Sequence, residues 1–341
     1  MKPEEYLAWK TILEGKYPTR VAMHEYLERF RETPFPVLFS LGHIGQIVGL
    51  RTEYLARIVN SSDRFYRSFE IPKRKGGTRV IQSPYPALKL LQRWILDNIL
   101  SKIQLNSAAT GFIQNKSLLE NVLPHVGSNS YLKMDLKDFF PSISFKRVYP
   151  VFLRCGYSKK IAYYLASFCC VNGVLPQGAP TSPALSNIIC KRLDARLFRL
   201  GERFGLRYTR YADDIAFSGC IIAPIFRTYV ANIVAEELLE INVDKTRLVN
   251  GRGSKVLTGI SINGQTPKLP RSTKRRYRSE AHNLLRLSIE EYMMKVFSSN
   301  QVAVEQTIGK FTFWSFIEPD NSYVLKTLSK LKDFSRVLYE T

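Results

Sequence analysis

The chain has 341 residues, 45% of them hydrophobic, enough to bury a sizeable core and to argue against global disorder. Lys and Arg number 50 against 29 Asp and Glu, a formal net charge of +21. That excess argues against a small anionic metabolite as sole partner and points to a polyanion, either nucleic acid or an anionic membrane surface.

The membrane alternative falls first. The opening 20 residues carry Glu4, Glu5 and Glu14 and no apolar core, so no secretory leader is expected. The most apolar N-terminal stretch, Phe35 to Leu50, is broken by Pro36, Ser40, Gly42, His43 and Gln46, whereas a span needs about 20 apolar residues. Five cysteines (Cys155, Cys169, Cys170, Cys190, Cys220) form no C-x-x-C pair and leave one odd. They read as reduced thiols, mostly in the core, of a cytoplasmic protein without a zinc site.

Residues 1–63 read as an amphipathic helical region, with Leu41, Ile44, Ile47 and Val48 followed by Tyr54, Leu55 and Ile58. Such a helix pair could read DNA or simply pack on the next lobe. From Arg64 to Gln82 the texture is that of a hairpin: Phe69-Glu70-Ile71 leads in, Gly76-Gly77 turns, and Arg79-Val80-Ile81 leads out. Its tip, Lys73-Arg74-Lys75, is either a solvated turn or a phosphate site. Tyr131 to Leu136 reads as a buried strand ending near Asp135. Residues 181–201 read as one helix, with Ser182 as its cap and Pro183 in the first helical position. Arg207 to Gly219 reads as two strands folded around Asp213-Asp214. Beyond Asn263, six of the eleven residues from Lys268 to Arg278 are basic and none is acidic. Two helices, about 280–299 and 321–340, are expected to follow.

Asp213 and Asp214 stand side by side between apolar flanks, where two like charges repel. A divalent cation between them makes the pair tolerable, and Asp135 ends another buried strand. Three carboxylates on neighbouring strands suit magnesium, with substrate phosphates completing the shell. Two such ions about 3.5–4 Å apart serve phosphoryl transfer. The residues alone therefore point to metal-dependent phosphoryl transfer on nucleic acid.

Tyr211-Ala212-Asp213-Asp214 looks like the signature turn of reverse transcriptases, and the run from Leu175 to Pro183 (Leu-Pro-Gln-Gly-Ala-Pro-Thr-Ser-Pro) resembles a second motif of that family. The basic hairpin, the Asp135 strand, the Pro-Gln-Gly loop, the Asp-Asp turn and Lys245-Thr246 also follow in the family's order. The resemblance implies an α+β right-hand polymerase fold. Fingers would occupy 64–130, a palm with an antiparallel sheet 131–263 (part of the fingers interleaved), and a short basic helical thumb 264–341.

It also implies roles. Asp135, Asp213 and Asp214 would hold two Mg2+ ions, with Mn2+ as a substitute and Asp214 the most peripheral member. Lys245 would protonate the leaving pyrophosphate. Lys73 or Lys75, with Arg79, would close over the dNTP phosphates. Gln177 and Gly178 would lie along the nucleotide, where a missing Cβ permits close approach. Phe140 would be a steric gate against ribonucleotides, with either Phe139 or Phe140 expected in the core.

Asn121-Val122-Leu123-Pro124-His125 resembles the Asn-Ala-x-x-His element of retron reverse transcriptases, with Val for Ala. Val256-Leu257-Thr258-Gly259 resembles their Val-Thr-Gly element, with Leu for Val. The compact length and the lack of a visible nuclease agree with that subfamily. A retron enzyme reverse-transcribes its own structured noncoding RNA from a guanosine 2′-hydroxyl. The product is a branched hybrid of RNA and single-stranded DNA, commonly serving antiphage defence with a separate effector protein. Asn121, His125, Thr258, Gly259, Lys268, Arg271, Lys274, Arg275, Arg276 and Arg278 are the expected RNA contacts. A generic grip on the template–primer duplex explains the basic run equally well.

Overall fold

The computed structural model describes residues 3–16, 21–73, 76–297 and 300–340. Arg74 and Lys75, at the tip of the expected basic hairpin, lie outside the described residues.

Four helices open the chain: Pro3–Lys16, Val21–Glu28, Leu41–Val48 and Thr52–Asn60. Ser40 caps the third through its side chain, and Gly49, at φ +71°, ends it in the left-handed conformation. Ile44, Leu55 and Ile58 are fully buried in a core that runs on through residues of the central sheet. The apolar faces of this helix pair are therefore used in packing. The hairpin follows as β1 (Tyr66–Pro72) and β2 (Thr78–Pro84), antiparallel with Phe69 opposite Ile81.

The central sheet is built from β3 (Ser130–Leu136), β4 (Arg207–Tyr211), β5 (Asp214–Gly219) and β6 (Ile241–Asn250) in the order β4-β5-β3-β6, all antiparallel. The period-two alternation divides it cleanly. Leu132, Met134, Ile215, Phe217 and Tyr208 face the main core under the sheet. Tyr131, Lys133 and Asp135 share the opposite face with Asp214 and Ala216, whose registers pair Asp135 with Asp214 and Lys133 with Ala216. Tyr131 and Ala216 there join a second core with Leu257, Ile260, Phe311 and Trp314 from the C-terminal region.

Three expectations need correction. The helix expected over 181–201 is two, Ser182–Ile189 and Lys191–Arg203, parted at Cys190 with ψ near 0°. Thr181 precedes it, and Ser182 is its first residue; the Ser182 hydroxyl donates to the Pro176 carbonyl at 2.7 Å rather than capping the helix. The C-terminal region contains a long helix that the sequence pattern hid, Ala303–Ile317. Its Thr, Gly, Phe and Trp content reads poorly as helix, but burial of Val304, Thr307, Phe311 and Trp314 on one face outweighs propensity. The helix expected from 280 instead runs Arg271–Leu285 and restarts at Ile289 behind a Ser288–Glu291 capping box. The final helix is Ser322–Glu340. No helix among the described residues is long and apolar enough to cross a membrane.

Candidate active site

The turn between β4 and β5 is as short as a hairpin allows: Tyr211 pairs with Asp214, leaving Ala212 and Asp213 as its two residues. Ala212 has φ +57°, a conformation normally left to Gly or Asn. The Asp213 carbonyl accepts the Leu136 amide at 2.9 Å, which ties the turn to the end of β3. Asp135 is thereby brought beside both members of the pair.

The three carboxylates differ in environment. Asp213 is held above the usual carboxylate range, first by burial and then by the charges of Asp135 and Asp214. Lys133 Nζ lies 2.7 Å from Asp214 Oδ1, and Lys245 Nζ 2.7 Å from Asp135 Oδ1. That hydrogen bond is the main cause of a raised Lys245 pKa. Lys245 reaches Asp135 because β6 is irregular. Lys133 pairs with Arg247 but Asp135 with Asn242, so the intervening residues bulge out of the ladder, and such a bulge re-aims a side chain. The Asn242 side chain accepts the Lys245 amide, and its carbonyl accepts the Thr246 hydroxyl.

Among the described residues no group of three His, Cys, Asp or Glu side chains converges as a ready metal cage, and Asp135 and Asp214 are turned towards their lysines. The donor set itself is all hard carboxylate oxygen, crowded enough to penalise its own charge, which fits a divalent cation such as magnesium.

The neighbouring positions sort clearly. Phe139 is buried in the core, while Phe140 is half-buried, its ring 6.2 Å from that of Phe112. Phe112 in turn lies 6.1 Å from Tyr211 and is about half exposed. Gln177 accepts the Gln82 amide through its carbonyl at 2.9 Å, which stitches the Pro-Gln-Gly loop to β2. Gly178, at φ +139°, leaves room for that approach: a Cβ there would stand 2.7 Å from the Gln82 carbonyl oxygen. Its glycine is thus required by packing on β2, whatever the nucleotide demands. Arg79 sits two residues from Ile81, on the β2 face that Gly178 touches. Lys73 closes the hairpin through its backbone and is exposed.

Asn121 and His125 are corrections. Both are fully buried and cannot touch RNA. His125 Nδ1 lies 2.7 Å from Ser218 Oγ and Nε2 2.8 Å from Thr209 Oγ1, while Asn121 Oδ1 accepts from Thr209 at 2.7 Å and Thr110 at 3.1 Å. They clamp β4 and β5 from the carboxylate side. Burial, with a smaller push from Arg207, lowers the His125 pKa to about 3, so the ring stays neutral at physiological pH. Asn121 Nδ2 also lies 3.5 Å from Thr258 Oγ1, so the two short elements separated in sequence meet in space. Thr258 and Gly259 form the turn of a small hairpin, β7 (Val256–Leu257) and β8 (Ile260–Ser261), both at positive φ.

On the helix Arg271–Leu285, Arg271, Arg275, Arg276 and Arg278 are exposed, as is Lys268 before it. Lys274 is a further correction: its ammonium is paired with Glu318 at 2.7 Å and largely covered. The Arg278 guanidinium lies over Trp314 and Tyr323. Lys133, Phe112, Arg210, Asp194 and Asn187 were not singled out by sequence. Arg210 stands next to the signature turn in Thr-Arg-Tyr-Ala-Asp-Asp, the one signal that could have found it.

Residues 71–281 match the family model described as reverse transcriptase (RNA-dependent DNA polymerase). The retron Ec86 reverse transcriptase of Escherichia coli is 35% identical over 266 residues, 76% of this chain and 83% of that protein. The chain belongs to the retron reverse transcriptases. The retron Mx65 and Mx162 reverse transcriptases of Myxococcus xanthus are 38% and 35% identical, the matches covering 70% and 75% of this chain and 60% and 61% of theirs. As a reverse transcriptase the chain has the right-hand polymerase fold and is an RNA-directed DNA polymerase, a nucleotidyltransferase.

Proposed function

We propose that this reverse transcriptase copies its own structured noncoding RNA from a 2′-hydroxyl primer within it, giving a branched RNA-linked single-stranded DNA that works with a separate effector in antiphage defence. The observation that carries the catalytic part is the tie between the Asp213 carbonyl and the Leu136 amide, which sets Asp135 against the Asp213-Asp214 turn. Asp135 and Asp213 would hold two magnesium ions, or manganese in their place, with Asp214 at the periphery on Lys133. When bound, the ions supply Lewis acidity to the attacking hydroxyl and to the triphosphate.

The chain's own residues then have distinct tasks. The attacking hydroxyl gives its proton to solvent water as its oxygen bonds to the α-phosphorus and the bond to pyrophosphate breaks, and the same in-line displacement serves a 2′- or a 3′-hydroxyl. Lys245, an ammonium 2.7 Å from Asp135 Oδ1, gives its proton to the departing pyrophosphate. Arg79, with Lys73 or Lys75, closes over the dNTP phosphates, Gln177 and Gly178 flank the nucleotide, and Phe140 excludes a ribose 2′-hydroxyl.

The thumb, 264–341, grips the RNA and the RNA–DNA hybrid product through its phosphates, with the Thr258-Gly259 turn alongside; structured RNA is read by shape and backbone. Changing Arg275, Arg276 and Arg278 together to Gln is expected to weaken RNA binding. The slope of log K against log salt should flatten by about 0.7–0.9 for each RNA phosphate that is no longer neutralised. Filter binding across a salt series measures it, and an unchanged slope removes these three from the interface. Arg275 should contribute most, since Arg278 rests on two aromatic rings and Arg276 leans towards Glu280.

The branched-product reading is tested by expressing the gene with its native flanking DNA and labelling small nucleic acids. A discrete RNA-linked single-stranded DNA, lost with Asp213→Asn, is expected. Its absence alongside activity on a generic primer–template keeps the polymerase and discards the branched product.

A further inference from the structure

Arg210 lies on the face of β4 turned away from the carboxylates and is completely buried, as is Asp194. Its Nε and Nη2 each donate to a different Asp194 carboxylate oxygen at 2.7 Å. Nη1 donates to Asn187 Oδ1 at 3.1 Å and to the Ala212 carbonyl at 2.9 Å. Ala212 is the first residue of the turn that carries Asp213. Burial opposes the guanidinium charge, but the Asp194 carboxylate more than restores it, so Arg210 remains a cation.

The turn is held from a second side as well. The Asn187 side-chain amide donates to the Gly111 carbonyl at 2.8 Å. Gly111 lies so near the turn that a Cβ on it would stand 2.8 Å from the Ala212 amide nitrogen. Asn187 therefore joins the residue packed against the turn to the residue bonded beneath it. The β4 backbone is fixed too, because Arg210 donates its amide to Ala108 and accepts that of Thr110.

We propose that Arg210, oriented by Asp194 and Asn187, is a positioning residue for the polymerase reaction: its Nη1 holds the Ala212 carbonyl and so fixes the turn that presents Asp213 and Asp214. The proposal rests on the reading of Asp213, with Asp135, as the metal-binding pair. Stability alone gives a poor account of the arrangement, since a buried ion pair is often replaced by apolar residues at little cost. What apolar residues cannot supply is a rigid planar fork, able to grip a carboxylate with two N–H groups while a third reaches a carbonyl. The left-handed conformation of Ala212, at φ +57°, is unfavourable for a Cβ-bearing residue, and the Arg210 hydrogen bond to its carbonyl offsets that cost.

Arg210→Met alone would strand the Asp194 charge and could unfold the chain. The test therefore pairs Arg210→Met with Asp194→Asn, which removes both charges and keeps an acceptor for the Tyr208 hydroxyl that now donates to Asp194. Arg210→Lys is the second variant, keeping the charge but not the fork. Each is compared with wild type and Asp213→Asn for folding by circular dichroism, primer–template binding, Mn2+ binding by electron paramagnetic resonance, and primer extension across a Mg2+ series.

The folded variants are expected to bind primer–template normally and to keep the dNTP KM. Their kcat should fall about a hundredfold, as a misplacement near 1 Å can produce, with weaker Mn2+ binding and a raised Mg2+ requirement. Wild-type kcat and metal dependence in either folded variant overturns the proposal. So does a loss that follows only the fraction of active molecules, with kcat per active site unchanged. Should the double variant not fold, Arg210→Lys decides on the same readouts. If Asp213→Asn itself retains synthesis and Mn2+ binding, the metal reading fails instead, and the two failures are distinct.

Discussion

Asp213→Asn is expected to lower the rate of DNA synthesis on a primer–template by about 10³-fold or more, because the charge stabilisation it removes is worth several kcal/mol in the transition state. Three local features place the effect on chemistry rather than folding. The Asp213 side chain is mostly buried next to two other carboxylates, and its pKa is raised by that burial and those charges. Its backbone holds the turn to β3 through the Leu136 amide and is untouched by the substitution. An amide there relieves repulsion instead of breaking a pair, since Asp214 and Asp135 have their own partners in Lys133 and Lys245. The variant should therefore melt no lower than wild type in the absence of divalent cation, and bind RNA normally. Single-turnover extension, thermal melting and filter binding check the three parts. Retained synthesis would remove Asp213 from the metal assignment.

The second large effect concerns Phe140. Phe140→Ala is expected to cut discrimination between dNTP and rNTP by about 10- to 200-fold, the range set by a small steric element in a substrate pocket. The two adjacent aromatics behave differently. Phe139 is nearly inaccessible, its ring 6.0 Å from the Arg210 guanidinium, and belongs to the core. Phe140 is half-buried, its ring 6.2 Å from that of Phe112 and 5.5 Å from that of Phe139. Phe139→Ala should accordingly cost about 3–5 kcal/mol of stability, while Phe140→Ala should cost less and change selectivity instead. Competing dNTP and rNTP incorporation by the two variants measures this. An unchanged ratio in Phe140→Ala returns the residue to packing.

Much of this was legible before any tertiary structure. The hairpin at 66–84, the buried strand through Asp135 and the paired strands around Asp213 rest on short-range patterns: period-two alternation, turn residues, and charge set between apolar flanks. Such patterns survive in sequence because neighbours along the chain impose them. The helix Ala303–Ile317 did not, because its stability comes from Phe311 and Trp314 meeting residues far away in the chain. The split at Cys190 is a local backbone feature that the continuous apolar periodicity of 181–201 conceals.

The amino-acid sequence by itself determined the chemistry: a strongly cationic polymerase with carboxylates in the order and spacing of a reverse transcriptase. It could do so because the reacting groups are few, chemically constrained and set in recognisable runs. Tertiary structure alone decided what each of the other polar residues does. Burial turned Asn121 and His125 from expected RNA contacts into a clamp on β4 and β5. An ion pair took Lys274 out of the basic surface, and a bulge aimed Lys245 at Asp135. The physical reason is common to all of them: a polar side chain acts through the partner it meets and the water it keeps, and both are set by residues distant along the chain.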